Sequence, residues 1–215
     1  MACMPQSRCM SFRLHGAVFA AVVATAALAV GAPTANAGVL VASAPDCSPK
    51  PTSKPFAPWG DQADYTLAPG GSFEAGKAPW QLSGASIVTG NEPWKVNGAG
   101  DSRSLRLPPG ASATSPVMCV GLEHPTLGLF ARNNTALVST LSVEVIFETS
   151  LGLKASAPVG VLLPNGQWKP SPRLLVVANL LPLLPGEHTP VQFRVRSVGL
   201  GTWWVDDFYV DPRCH

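Results

Sequence analysis

The stretch at residues 191–196 is Val-Gln-Phe-Arg-Val-Arg, in which apolar and polar side chains alternate without a break. Successive side chains of a β-strand point to opposite faces of the sheet, so Val191, Phe193 and Val195 share one face. Residues 141–148, Leu-Ser-Val-Glu-Val-Ile-Phe-Glu, repeat the pattern. A strand that is apolar on one side and polar on the other is typical of an antiparallel sheet with one solvated face.

Short runs of strand-forming residues recur between turn signals rich in Gly, Pro and Asn. They predict strands at 80–88, 104–107, 113–120, 126–131, 141–148, 158–162, 174–179, 191–198 and 202–210. Asn165-Gly166 is the sharpest hairpin signal, because both residues tolerate a positive φ. No window after residue 37 combines a helical stripe with caps. Residues 59–215 are therefore predicted to form an all-β, antiparallel jelly-roll β-sandwich with about eight to ten strands.

The first 37 residues have the order of a secretory signal peptide. Arg8 and Arg13 precede an apolar run at 17–30, and the small-residue triplet Ala-Asn-Ala follows at 35–37. We expect cleavage near Gly38 and a secreted, extracellular or cell-surface protein. The apolar run is shorter than the about 20 residues of a membrane-spanning helix, and no second such run follows. No membrane span is expected.

Residues 38–58 are rich in proline, with Pro45, Pro49, Pro51, Pro55 and Pro58. Proline fixes φ and has no N–H to donate to a strand ladder, so this segment is predicted to be an extended arm or linker before the domain.

The charge balance argues against nucleic acid as a partner. The chain has 15 Lys and Arg against 13 Asp and Glu, and removal of Arg8 and Arg13 with the signal leaves 13 of each sign. Binding to a phosphate backbone needs a surplus of basic residues, which this total does not supply.

Three cysteines remain after the signal: Cys47, Cys119 and Cys214. Outside the cytoplasm a disulfide is the default state of a pair. We favour Cys47–Cys119, which would tie the Pro-rich segment to the sandwich and leave Cys214 as a free thiol. The alternative, Cys47–Cys214, would join the two ends, and spacing alone does not choose. The cysteines lack the Cys-x-x-Cys spacing of a zinc site.

Two segments at opposite ends of the domain resemble a known family. One is Gly71-Ser72-Phe73-Glu74-Ala75-Gly76, followed by Trp80, and the other is Trp204-Val205-Asp206-Asp207-Phe208-Tyr209-Val210-Asp211. They resemble the first and last strands of jelly-roll modules with the galactose-binding-like fold. Many of those modules are carbohydrate-binding modules appended to secreted glycosidases. The chain also looks like small exported proteins of high-GC Gram-positive bacteria that consist of this module alone.

The resemblance implies a structural calcium ion held by Glu74 and by Asp206 or Asp207. It also implies that the terminal strands lie side by side, which would bring 73–74 close to 205–206. Calcium takes six to eight oxygen ligands, and carboxylates with nearby backbone carbonyls are suitable donors.

Sugar binding needs aromatic platforms, because sugar faces stack on rings while hydroxyl groups bond to polar side chains. Trp80 is predicted to lie in the core, and the adjacent Trp203 and Trp204 are predicted to point to opposite faces of a strand. Trp94 and Trp168 lie near predicted turns and are the candidates for ligand contact.

Together these features predict a secreted, non-catalytic β-sandwich that binds carbohydrate, such as a cell-surface glycan or a cell-wall polysaccharide. Two alternatives stay open. One is a structural or interaction protein of the cell envelope that uses the Pro-rich arm and Cys214 for attachment. The other is a small secreted hydrolase, although the sequence has no Gly-x-Ser-x-Gly elbow and no other evident catalytic constellation.

Overall fold

The computed structural model describes residues 50–75, 79–121, 126–133, 138–149, 152–176 and 188–211. The predicted signal peptide at 1–37, the arm before Lys50, Cys47 and Cys214 lie outside these residues. Within them the chain forms thirteen strands and one short 3-10 helix, Ala57–Trp59. The strands pair into two antiparallel sheets, which confirms the predicted all-β sandwich.

Sheet 1 has seven strands, and β13 lies at its centre. The strand order is β10-β7-β13-β4-β3, with β1 also beside β13 and β11 also beside β7. Their bounds are β1 Thr66–Leu67, β3 Ser86–Thr89, β4 Arg103–Leu107, β7 Thr126–Asn133, β10 Lys169–Pro170, β11 Leu174–Leu175 and β13 Trp203–Asp211.

Sheet 2 has six strands, and β12 lies at its centre. The strand order is β2-β5-β12-β8-β9, with β6 also beside β12. Their bounds are β2 Gln81–Ser83, β5 Ser112–Thr114, β6 Met118–Gly121, β8 Ser139–Glu148, β9 Lys154–Leu162 and β12 His188–Gly199.

The alternation at 141–148 and 191–196 sets the register of sheet 2. Val195 pairs with Val143 and lies in the core. Arg194 pairs with Glu144 on the outer face, where Nη2 lies 2.6 Å from Oε2. A shift of one residue would expose the apolar set and bury the charged one, so the pattern admits a single register. Full burial of each apolar side chain contributes about 1.5–3 kcal/mol.

The core fills the space between the sheets, and β13 supplies its largest side chain. Trp203 is fully buried and its Nε1 donates to Ser139 Oγ at 2.8 Å. Trp204 points to the outer face of sheet 1 and is half-buried, so the predicted opposite orientation of the two indoles is confirmed. Trp80 lies in the core as predicted, with Nε1 donating to Pro69 O at 3.0 Å.

The first and last strands lie side by side, as the resemblance implied. Thr66 pairs with Val210, and Phe208 N donates to Gly71 O at 3.1 Å. The Trp80 ring packs between Phe73 and Phe208, with centroid distances of 5.3 and 5.4 Å.

The described end of the Pro-rich segment packs against the outer face of sheet 1. Ser53 and Tyr65 exchange two backbone hydrogen bonds of 2.8 Å. The Phe56 side chain is only 3% exposed and stacks on Phe130. Gly128 makes room for this ring, because a Cβ there would lie 2.5 Å from Phe56 Cε2. Residues 50–58 are therefore in contact with the sandwich.

Two details of the strand prediction are wrong. Asn165-Gly166 does not close a hairpin: it joins β9 of sheet 2 to β10 of sheet 1, and Asn165 Nδ2 donates to Ala131 O at 3.3 Å. The predicted strands 80–88 and 113–120 are each split in two, which raises the number of strands among the described residues above ten. Gly84, at φ 67°, separates the first pair, and Pro116 lies between the second.

Gly71 tests the contact between the terminal strands. We expect Gly71→Ala to lower the free energy of unfolding by about 1–3 kcal/mol, the usual cost of overpacking. The added Cβ would lie 2.7 Å from Phe208 O and 3.0 Å from Ala68 O, and both oxygens accept backbone hydrogen bonds that resist their displacement. Gly100→Ala is the matched control, because nothing lies within 4 Å of its Cβ position. Urea unfolding measures both variants, and equal midpoints would contradict the expectation.

Candidate functional site

Three buried carboxylates converge next to the last strand. Glu92, Asp101 and Asp207 each offer one oxygen atom, and these atoms lie within 4.8 Å of one another. We call these three residues the acidic cluster. Glu92 and Asp101 belong to the connection between β3 and β4, and Asp207 belongs to β13, so the cluster links that loop to the centre of sheet 1.

A β-bulge places Asp207 in the cluster. The register of β13 against β7 shifts between Asp206 and Tyr209, and Asp207 has a φ of 48°. Left-handed φ is uncommon for a residue other than glycine, and bulges often redirect a side chain at a functional position. Backbone strain of this kind is characteristic of binding and catalytic sites.

The hydrogen bonds of the cluster are incomplete. Glu92 accepts from Trp94 N at 2.5 Å and from Val96 N at 2.6 Å, which fixes the loop around it. Both carboxylate oxygens of Asp101 and of Asp207 are buried without a hydrogen-bond partner among the described residues. A buried acceptor left unpaired costs about 1–3 kcal/mol, and more when it is charged. The cluster therefore has open ligand positions.

Burial and mutual repulsion raise the pKa of the aspartates. Burial is the largest cause for each of Asp101, Asp206 and Asp207. It raises the pKa of Asp101 to about 7, with a further contribution from the neighbouring Glu74 carboxylate. Burial and the charges of Asp101 and Glu92 raise the pKa of Asp207 to about 8. Burial and the charge of Asp207 raise the pKa of Asp206 to about 9.

The predicted metal ligands occupy different positions around this cluster. Asp207 is a member, whereas the carboxylate of Asp206 accepts from Glu92 N at 3.2 Å and from Asp207 N at 2.9 Å. Glu74 accepts from Ser102 N at 2.7 Å and from Arg103 N at 2.6 Å. Burial tends to raise the pKa of Glu74, but these hydrogen bonds outweigh it and the pKa is lowered.

Sequence reasoning missed Glu92 and Asp101. Both lie in a segment rich in Gly, Asn and Pro, where a lone acid has the appearance of a turn residue. The signal that would have found them is tertiary: β4 pairs directly with β13, so the loop that enters β4 lies beside Asp207.

Two tryptophans form an open cleft at the outer face of sheet 1. Trp94 and Trp59 are 45% and 37% exposed, and their rings meet edge to face at a centroid distance of 4.9 Å. Both rings pack on Phe130, at 5.6 and 5.3 Å. The cleft of about 670 Å³ is also bordered by Lys54 and Lys95. We call this region the Trp59–Trp94 cleft.

The second predicted ligand contact, Trp168, lies farther along the same face. Its ring is half-buried, and the guanidinium carbon of Arg132 is 5.4 Å from the ring centroid. The same atom lies 4.4 Å from the ring centroid of Trp204, so Arg132 contacts both indoles. Trp94 and Trp168 are thus on one sheet face, and Trp59 is a cleft residue that the sequence did not single out.

The comparisons with known proteins give structural likeness only. No protein-family model matches the chain, and no curated protein matches it. Solved structures with similar folds include TmCBM61 in complex with beta-1,4-galactotriose. That structure has a TM-score of 0.40 and 16% identity, and the match covers 67% of this chain and 96% of that one. Another is the CBM22-2 xylan-binding domain from Paenibacillus barcinonensis Xyn10C, with a TM-score of 0.45 and 14% identity over 66% and 98% of the two chains.

At identities this low the likeness concerns the fold and says nothing about the ligand of this chain.

The described residues contain no helix long and apolar enough to cross a membrane.

The raised pKa values predict how stability depends on pH. In EDTA, which keeps the protein free of metal ions, we expect the melting temperature to decrease as the pH is raised from 5 to 8. Asp101, Asp206 and Asp207 have pKa values of about 7 to 9 in the folded state against the usual 3.8 of an aspartate, so the folded state holds more protons than the unfolded state in this range. The free energy of unfolding must then decrease as pH rises. Each kcal/mol lost corresponds to about 2–4 °C.

Asp207→Asn is the control for this pH dependence. The amide has a similar shape, cannot ionise, and tolerates the left-handed φ. The variant should melt higher than the parent at pH 8 in EDTA and show a flatter profile. A parent melting temperature that stays level or rises from pH 5 to pH 8, measured by differential scanning fluorimetry, would contradict the account.

Proposed function

We propose that this chain is an exported, non-catalytic β-sandwich that binds carbohydrate at the Trp59–Trp94 cleft. The observation behind the proposal is the pair of exposed indoles, 37% and 45% accessible, that meet at an interplanar angle of 80° beside an open cleft.

The chemistry of the cleft suits a sugar. A pyranose has apolar C–H faces and a polar rim, so it needs a broad aromatic surface with hydrogen-bond donors at the edge. Trp59 and Trp94 supply the surface, and Lys54 and Lys95 border it. Adjacent large apolar side chains that stay exposed on a folded protein usually mark a binding site.

The platform is also rigid. Phe130 lies beneath both indoles, and Phe56 stacks on Phe130 at 5.3 Å. Trp94 N donates to the buried Glu92 carboxylate, which anchors the loop. A preformed platform loses little conformational entropy on binding, so more of the contact energy becomes affinity.

Trp94→Ala tests the cleft. We expect the variant to lose at least about tenfold in affinity, equivalent to about 1.4 kcal/mol, for any oligosaccharide that the parent binds. The measurement is isothermal titration calorimetry with a panel that includes xylohexaose, galactotriose and an oligogalacturonate. Leu200→Ala is the matched control, because Leu200 is an apolar side chain that is 78% exposed. A parent protein that binds none of the panel, or a Trp94→Ala variant with unchanged affinity, would overturn the proposal.

We further propose that the acidic cluster holds a structural calcium ion. The residues fit this ion, because Glu92, Asp101 and Asp207 supply oxygen ligands and four of the aspartate oxygens have no hydrogen-bond partner among the described residues. Calcium prefers carboxylate and carbonyl oxygens, and its charge would offset the repulsion among buried acids. Glu74 and Asp206 lie beside the acidic cluster and are not members of it. The carboxylate oxygens of Glu74 and Asp206 already accept hydrogen bonds, from the Ser102 hydroxyl and from backbone amides.

The position of the cluster connects the metal to the cleft. Glu92 belongs to the cluster and also accepts hydrogen bonds from Trp94 N and Val96 N. A cation bound there would hold the segment that presents Trp94, so its role would be structural and not catalytic.

Asp101→Asn tests the metal. In the parent we expect Ca²⁺ to raise the melting temperature, with a stabilisation of about 2.7 kcal/mol when calcium is at 100 times its Kd. Asp101→Asn should weaken calcium binding at least about tenfold in calorimetry while the metal-free protein still folds, because the Asp101 carboxylate has no hydrogen-bond partner to lose. Asp64→Asn, at an exposed carboxylate that pairs with Lys54, is the control. A parent melting temperature that is the same in calcium and in EDTA would end this proposal.

Export and a disulfide are part of the same proposal. The signal-like order of residues 1–37 supports secretion or attachment at the cell surface. Cys119, in β6, is disulfide-bonded, which supports an oxidising compartment. Both candidate partners lie outside the described residues, so the pairing Cys47–Cys119, with Cys214 free, stays a prediction.

A further inference from the structure

We infer that Arg132 binds a carboxylate group of the glycan, so that the ligand of this protein is a uronic-acid-containing polysaccharide. The inference rests on the proposed function and adds the ligand class. Arg132 lies between the indoles of Trp168 and Trp204, with its guanidinium carbon 5.4 and 4.4 Å from their ring centroids. We call these three residues the Trp168–Arg132–Trp204 stack.

The strand register builds this stack. Trp204 in β13 lies directly between Arg106 in β4 and Arg132 in β7. Trp168 immediately precedes β10, whose Lys169 pairs with Ala131. The outer face of sheet 1 therefore has a row in which arginine and tryptophan alternate, with no acidic residue among these four positions.

Arg132 has no counter-ion among the described residues, and it is the one described arginine with a buried guanidinium nitrogen that lacks an acceptor. Arg173 forms an ion pair with Asp61, and Arg194 forms one with Glu144. None of the described residues makes an ion pair or a hydrogen bond with the Arg132 guanidinium, and its Nε is buried without an acceptor. The two Nη atoms also have no hydrogen bond among the described residues, but they are not buried. A half-buried cation without acceptors is unfavourable, and an anionic ligand that reaches the Nη atoms would relieve part of that cost.

The stack orients the Arg132 guanidinium for binding a carboxylate. Contact with aromatic rings uses the flat faces of the group, whereas all five N–H donors lie in its plane. Because Nε is buried, the edge that carries the two Nη atoms is the part of this rim that a ligand would approach. A carboxylate matches this rim, because its two oxygens can accept two parallel hydrogen bonds from one guanidinium.

The stack and the Trp59–Trp94 cleft belong to one surface. Phe130 lies two residues before Arg132 on the same face of β7, a separation of about 7 Å along the strand. Phe130 in turn contacts both Trp59 and Trp94. Lys95, which has no ion pair among the described residues, borders the cleft and adds positive charge to this surface, whereas Lys54 is paired with Asp64. A short oligosaccharide can place a sugar ring on the indoles and a carboxylate at Arg132.

The test compares an oligogalacturonate with its fully methyl-esterified form, which has the same sugar backbone without the charge. By isothermal titration calorimetry in 0.15 M salt, we expect the parent to bind the acid at least about tenfold more tightly than the ester, the size of a hydrogen bond to a charged group. Arg132→Gln should remove this preference and leave the affinity for the ester unchanged.

Arg196→Gln is the matched control, because it removes the same charge from an exposed position on sheet 2. It should keep the full preference for the acid. Arg132→Lys is the second variant if Gln loosens the sheet: the charge remains but the forked donor set is lost, and the preference should fall at least about fivefold.

Equal affinity of the parent for acid and ester, or an Arg132→Gln variant that keeps the preference, would overturn the inference. If the parent binds a neutral glycan through Trp94 but not the acid preferentially, only this inference fails. If it binds no glycan, the proposed function fails with it.

Discussion

The pairing of β13 with its neighbours is the constraint on which the rest of the structure depends. This strand, the last in the chain order, hydrogen-bonds to β1, β4 and β7, so it holds together strands that are far apart in sequence. Its alternation sends Trp203 and Val205 into the core and Trp204 to the outer face. Its bulge then turns Asp207 towards the loop before β4. Core, acidic cluster and aromatic row thus depend on one register, and a slip of one residue would disturb all three.

The sequence was most informative where local pattern and tertiary packing agree. Strict alternation at 191–196 located β12 and its buried face, and adjacency alone was enough to place Trp203 and Trp204 on opposite faces. Asn165-Gly166 was misleading because a turn signal states how the backbone bends but not which strands will pair. Here the turn joins β9 and β10 in different sheets. The pairing partner of β10 is β7, which is distant in sequence.

The candidate site was harder to predict for a related reason. Asp207 could be found from its place in a motif, but Glu92 and Asp101 contribute only through the contact of their loop with β13. Similarly, Trp59 follows a Pro-rich segment that had the composition of a linker. Its partner Trp94 is remote in sequence, and the two indoles meet only because Phe130 supports both. Neither contact leaves a periodic signal along the chain.

The two sheets differ in a way that supports the proposed binding site on sheet 1. On the outer face of sheet 2 the cross-strand pair Arg194 and Glu144 neutralise each other through an ion pair. On the outer face of sheet 1, Arg132 contacts the indoles of Trp168 and Trp204 and has no carboxylate partner among the described residues. In an ion pair on a sheet face the arginine donors already have an acceptor. An arginine held between aromatic rings has N–H donors that still lack one. Glu92 of the acidic cluster accepts hydrogen bonds from the loop of Trp94 beside the same face, so an anchored loop and the unsatisfied donors of Arg132 lie on one side of sheet 1.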